Sequence, residues 1–170
     1  MSQNKVFLAL GSNVGNWKNN FNRCLIELSK ISRLNAIGNI YITKPYGFKK
    51  QDDFFNTAVR LQTKDTPIQL INKIKLIEKK LHKNKIIKNG PRRIDIDIIF
   101  FNYLKIYYKN LIIPHPRAID RDFVLYPLCD IEPYFHHPIF RNSIKKLKTK
   151  VRPHYIKKKI TQPKGLFVIH

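Results

Sequence analysis

Residues 90–101 read Gly-Pro-Arg-Arg-Ile-Asp-Ile-Asp-Ile-Ile-Phe-Phe, and no other stretch limits the possible folds as tightly. From Ile94 onward the run is β-branched and aromatic, and it alternates at first, so it reads as a strand. Strand side chains point to opposite faces with a period of two. Ile94, Ile96, Ile98 and Phe100 are therefore expected on one face, and Asp95 and Asp97 on the other with Ile99 and Phe101. Two carboxylates side by side on an apolar strand repel each other and lose hydration, and a cation is the simplest compensation. Mg²⁺ suits such a pair, because it commonly takes one or two carboxylates together with substrate phosphates. Arg92 and Arg93, just before the strand, are near enough in sequence to reach those phosphates. The pattern Asp-x-Asp alone is not specific: it recurs at Asp120 and Asp122, between Arg117 and Arg121, and a solvated polar edge would satisfy it. The Gly-Pro-Arg lead-in, the basic loop before it and the apolar run after it set the first pair apart.

The rest of the chain supplies partners for this strand. Val6–Leu10 is a short buried strand that ends in the turn signal Gly11-Ser12-Asn13. Trp17, Phe21, Cys24, Leu25, Leu28 and Ile31 recur at helical spacing. Residues 35–43 and 54–63 read as strands, and in the second Phe54, Asn56 and Ala58 share a face. Thr66-Pro67-Ile68-Gln69 is a helix start, with a Thr cap, Pro at the first position and Gln at the third. Residues 103–108 and 111–113 suggest a hairpin, and 119–131 a helix. The core order is strand, helix, strand, strand, helix, strand. It predicts an α+β, ferredoxin-like βαββαβ fold: an antiparallel sheet with helices on one face, an extra hairpin and a C-terminal helical segment. One domain is expected over residues 1–140, followed by a basic extension, 141–170, of unassigned role.

Charge narrows the function. The 170 residues carry 33 Lys and Arg against 11 Asp and Glu, a net charge of +22, which favours polyanionic partners such as phosphorylated substrates or nucleic acid. Lys, Ile and Asn dominate, however, so compositional bias in the coding sequence is a competing source of that charge. Cys24 and Cys129 form no metal-binding spacing and read as reduced thiols of a cytoplasmic protein. The first apolar run is too short for a signal peptide, and no stretch reaches membrane-spanning length.

In order along residues 6–135, several pieces are similar to those of one family. They are Leu8-Ala9-Leu10-Gly11-Ser12-Asn13; Tyr41, Thr43, Pro45 and Gly47; Phe54-Phe55-Asn56-Thr57-Ala58-Val59; and Ile77-Glu78. Gly90-Pro91-Arg92 with Asp95 and Asp97 follows, then Ile113-Pro114-His115-Pro116-Arg117 and Arg121-Asp122-Phe123-Val124-Leu125. The chain thus resembles the 6-hydroxymethyl-7,8-dihydropterin pyrophosphokinases of folate biosynthesis. The resemblance implies transfer of pyrophosphate from ATP to the pterin hydroxymethyl group, with AMP as the other product. It assigns two Mg²⁺ ions to Asp95 and Asp97, and phosphate or nucleotide contacts to Arg92, His115, Arg121, Ile98, Lys83 and Lys85. It further assigns the pterin pocket to Thr43, Pro45, Tyr46 and Asn56, with Phe54 and Phe123 as the stacking pair. Residue chemistry agrees: aromatic plates suit a flat heterocycle, and an Asn amide offers a donor and an acceptor to its edge.

One departure bears on the nucleotide. The family has Gly-Arg-x-Arg where this chain has His82-Lys83-Asn84-Lys85, so charge is kept and the planar fork is lost. The loop 82–93 holds five cations and no acid, and it is expected to close over ATP. The partners expected are small molecules, with no specific nucleic acid and no membrane, and a monomer is expected. The alternative is a basic ferredoxin-like RNA-binding module, which the charge would suit. It lacks the aromatic signature of that class, and a carboxylate pair on the binding face would repel phosphate.

Overall fold

The computed structural model describes residues 2–81, 90–162 and 166. Lys83 and Lys85 lie outside the described residues. The first strand, β1 (Asn4–Ser12), is flanked by β4 (Phe54–Thr63) and β5 (Asp95–Phe101), antiparallel to both. Beyond β4 lie β2 (Arg33–Ile37) and β3 (Ile40–Thr43), each paired with a different part of β4. The stretch expected as one strand over 35–43 is therefore broken at Gly38. A Cβ there would sit 2.8 Å from the Pro127 carbonyl oxygen, so only glycine lets the chain turn against its neighbour.

Helices α1 (Trp17–Ser29) and α2 (Pro67–Lys80) cover one face of the sheet. The start of α2 is a capping box as read from the sequence: Gln69 N–H donates to Thr66 Oγ1 and Thr66 N–H to Gln69 Oε1. Under these helices lie Val6, Leu8, Leu10, Val59, Leu61, Ile96 and Ile98. Full burial of such side chains contributes roughly 1.5–3 kcal/mol each. The order β5-β1-β4-β2/β3 is that of the ferredoxin-like plan.

The opposite face is covered over part of its area. Phe7, Ala58, Ile99 and Phe100 pack there against α3 (Asp122–Ile131) and α4 (Ile144–Lys150). Alternation along β5 fails at its end: Leu8 pairs with Ile98 but Phe7 with Phe100, so Ile99 is the extra residue of a β-bulge. The expected faces of Phe100 and Phe101 are consequently exchanged. Phe101 joins the helix-side core, and Phe100 lies with Ile99 on the face of the two aspartates.

The hairpin β6 (Ile106–Tyr108) and β7 (Leu111–Ile113) forms as expected. The stretch 141–164, with its ten Lys or Arg, was expected as a tail and is folded over most of its length. It carries α4 and an edge strand, β8 (Ile156–Ile160), paired with β3. Three successive lysines on that edge blunt it against further pairing.

Candidate active site

Where α3 and α4 leave the second sheet face uncovered, a cavity of about 200 Å³ opens. Its floor comes from small residues of β1. Ala9 pairs with Asp97 and with Ala58, and Gly11 with Asp95 and with Asn56. A Cβ on Gly11 would lie 3.4 Å from Asn56 Oδ1 and 3.9 Å from the Phe54 ring, so glycine keeps this end of the floor open. Strand parity thus brings Asp95, Asp97, Asn56 and Phe54 to one side, as the alternation of β4 and β5 requires.

The rest of the wall comes from chain ends around the sheet. Thr43 and Tyr46 enter from the end of β3 and the loop after it, Arg92 from the approach to β5, and His115 from the turn after β7. Arg121 and Phe123 flank the first residue of α3. The cavity therefore gathers ten of the expected residues: Thr43, Tyr46, Phe54, Asn56, Arg92, Asp95, Asp97, His115, Arg121 and Phe123. Pro45 is half-buried and does not line it. Ile98 is buried in the helix-side core, because Leu8 and Ile98 share that face. Its side chain does not reach the cavity, and only its backbone on the edge strand could meet a ligand.

The polar groups are set in specific ways. Asn56 Nδ2 donates to the Tyr41 carbonyl at 3.2 Å and to Thr43 Oγ1 at 3.0 Å. The expectation that Asn56 offers both a donor and an acceptor is corrected: its donor half is spent on the protein, and Oδ1 faces Gly11 and the cavity. Arg92 Nε lies 3.1 Å from Asp95 Oδ2, as an ion pair without hydrogen-bond alignment, and its guanidinium stands 4.9 Å from the Phe54 ring centre. Arg121 stands over the rings of Tyr46 and Phe123, and its buried Nε makes no hydrogen bond among the described residues. Such an N–H has a desolvation cost that an incoming anion would relieve. His115 is pushed down to about 4, first by burial and then by Arg121, with Asp95 opposing. It is neutral at pH 7, and its Nδ1 accepts the Arg117 N–H at 3.3 Å, which leaves the proton on Nε2.

The sequence marks Gly11-Ser12-Asn13 as a turn and as part of the family resemblance, with no role for Asn13 itself. Asn13 in fact joins three segments: its Oδ1 accepts the Arg92 N–H, and its Nδ2 donates to Gln51 Oε1 and the Asp52 carbonyl. Glu78 likewise ties α2 to β5 through the Ile96 N–H at 2.9 Å. The bulge also has a purpose here, since the Ile99 carbonyl accepts the His115 N–H at 3.0 Å.

The donor set fits a hard cation. Two carboxylates share a face one period apart, with Arg92 beside Asp95 and Arg121 lining the same cavity. No group of three or more His, Cys, Asp or Glu able to hold a metal exists among the described residues. Asp95 and Asp97 would thus need oxygens from elsewhere to complete a coordination shell. The described residues also hold no helix long and apolar enough to cross a membrane.

Comparison with known proteins identifies the family. Residues 7–133 match the model of the 7,8-dihydro-6-hydroxymethylpterin-pyrophosphokinase family. A 2-amino-4-hydroxy-6-hydroxymethyldihydropteridine pyrophosphokinase of Aquifex aeolicus is 38% identical over 84% of this chain and 89% of its own length. A folic acid synthesis protein of Pneumocystis carinii is 41% identical over 89% of this chain but only 21% of its own length. A solved Plasmodium falciparum HPPK-DHPS shares the fold, with a TM-score of 0.74 at 19% identity over 88% of this chain and 44% of that one. On the match over residues 7–133 and the likeness to the Aquifex enzyme, this chain belongs to the 7,8-dihydro-6-hydroxymethylpterin-pyrophosphokinase family.

Proposed function

We propose that the chain transfers pyrophosphate from ATP to the hydroxymethyl group of 6-hydroxymethyl-7,8-dihydropterin in folate synthesis. The hydroxymethyl oxygen bonds to the β-phosphorus, the bond from that phosphorus to the α–β bridging oxygen breaks, AMP leaves, and the hydroxyl proton is released. One observation carries the reading: a single cavity joins aromatic rings and an amide acceptor to a carboxylate pair and two arginines. The first half suits a flat heterocycle and the second a polyphosphate. The RNA-binding alternative has no support from the comparisons.

Phe54 and Phe123 would cover the two faces of the pterin, and Asn56 Oδ1 would accept an N–H from its edge. Thr43, Pro45 and Tyr46 would close that end of the pocket. Arg92, Arg121 and the Nε2–H of His115 would donate to phosphate oxygens, as charge-assisted bonds in the case of the arginines. The Ile98 backbone would meet the nucleotide base, and Lys83 and Lys85 the phosphates as point charges. Asp95 and Asp97 would hold two Mg²⁺ ions, which supply positive charge to neutralise the phosphates. Phosphoryl transfer asks for positioning and charge more than for covalent help, and these side chains provide both. The protein is read as a monomer acting in the cytoplasm on small molecules.

The test is AMP formation with ATP, Mg²⁺ and the dihydropterin. AMP should accumulate in equal amount to pterin consumed, and none should form when the pterin is omitted. AMP release that ignores the pterin would refute the reading.

A further inference from the structure

The family model ends at residue 133, yet the chain beyond it touches the cavity wall at separate points. Asp122 is fully buried at the start of α3, between Arg121 and Phe123. Its Oδ1 accepts the Phe123 N–H at 2.8 Å, and its Oδ2 accepts the N–H groups of Tyr155 at 2.7 Å and Ile156 at 3.0 Å. His154 Nδ1 lies 3.7 Å from the same oxygen. A buried carboxylate with several backbone donors makes strong, charge-assisted bonds, and its place at a helix N-terminus adds to them. The first turn of α3 is thereby fastened to the start of β8.

That fastening sets the ring of Tyr155. It stands edge-on to two wall residues: 5.4 Å from Tyr46 at 66°, and 6.0 Å from Phe123 at 87°. Its carbonyl accepts the Lys44 N–H at 3.2 Å, and Ile156 pairs with Thr43. Tyr155 does not line the cavity itself. It stands behind the rings that do.

We propose that Asp122 and Tyr155 are positioning residues for the pterin wall, holding in place Phe123, one of the two stacking rings, and Tyr46, which packs against it at 6.2 Å. The proposal deepens the pyrophosphokinase reading and rests on it. On this view the residues after 150 serve substrate binding, although the sequence shows them only as a basic stretch.

The test uses the full chain with Tyr155→Ala, Tyr155→Phe and Asp122→Asn. For each, pterin Kd is read by fluorescence, the Kd of a nonhydrolysable ATP analogue with Mg²⁺ by calorimetry, and Tm, KM and kcat are measured. Tyr155→Ala should raise pterin Kd and KM about tenfold and move analogue Kd and kcat by less than about twofold. Tyr155→Phe keeps the ring and should restore wild-type binding. Asp122→Asn should shift pterin KM in the same direction; if it does not fold, the two Tyr155 variants decide. Unchanged pterin binding in Tyr155→Ala would overturn the proposal, as would an equal loss of both ligands together with Tm. A wild-type chain that neither binds pterin nor forms AMP would instead overturn the pyrophosphokinase reading, and this inference with it.

Discussion

Asn13 and Arg92 hold each other by paired hydrogen bonds: the Arg92 N–H donates to Asn13 Oδ1 at 2.9 Å, and the Asn13 N–H to the Arg92 carbonyl at 3.1 Å. The end of β1 thus fixes the backbone from which the Arg92 guanidinium reaches Phe54 and Asp95. Asn13→Ala removes one of these bonds and the side-chain bonds to Gln51 and Asp52. It should lower stability by about 1–3 kcal/mol, as a part-buried donor and acceptor lose their partners. Turnover with ATP should fall about tenfold or more as Arg92 loses its place. Denaturant titration and steady-state rates check both, and an unchanged rate would release Arg92 from this role.

Gly11→Ala probes the floor. The added methyl carbon would stand 3.4 Å from Asn56 Oδ1, in space that a pterin edge would use. Pterin affinity should drop about tenfold or more while the chain folds normally, because β1 has an extended conformation there that alanine adopts. Fluorescence titration with the pterin measures it. Wild-type affinity would mean that the heterocycle binds elsewhere in the cavity.

Asp95→Asn and Asp97→Asn test the carboxylate pair. Each keeps the shape and halves the negative charge. Turnover should fall about 100-fold or more with Mg²⁺ present, and the fold should persist because like-charge repulsion is relieved. Circular dichroism and AMP formation read the two effects separately. Near-normal rates in both variants would remove the pair from the chemistry.

Acid should weaken the fold through two histidines. His115 and His137 are both pushed down to about 4, with burial the leading cause in each. An unfolded histidine titrates near 6.5, so between about pH 6.5 and 4 the unfolded chain binds more protons than the folded one. Stability from these groups is therefore full above that window, falls as pH drops through it, and levels off below. His137 Nδ1 accepts the N–H groups of Ile139 and Phe140, which an asparagine oxygen can replace. The double variant His115→Asn with His137→Asn should show a shallower decline in urea midpoint from pH 7 to 4, and an identical slope would contradict the assignment.

The parts of this molecule that follow from local periodicity were legible in the sequence. Asp95 and Asp97 share a face with the cavity because strand parity demands it, and Thr66 with Gln69 announces the start of α2. What escaped were long-range effects. The bulge at Ile99 lies among apolar residues that suit either face, so nothing local marks where alternation stops. Gly38 breaks a strand because Pro127, far along the chain, presses on it. β8 has lysine at successive positions, so it shows no alternation, and its place depends on pairing with β3. Asn56 looked like a two-way hydrogen-bonding group, and only the neighbouring Tyr41 carbonyl and Thr43 hydroxyl reveal which half is spent. The family resemblance supplied residue roles that spacing alone could not.

The measurement that bears most directly on the reaction follows one phosphorus atom. ATP labelled with ³²P at the β-position is incubated with the chain, Mg²⁺ and 6-hydroxymethyl-7,8-dihydropterin, and the products are separated. Transfer of pyrophosphate predicts that all released label is on the pterin and none on the AMP. Label recovered as ADP would mean transfer of the γ-phosphoryl group alone, and would contradict attack at the β-phosphorus in this site.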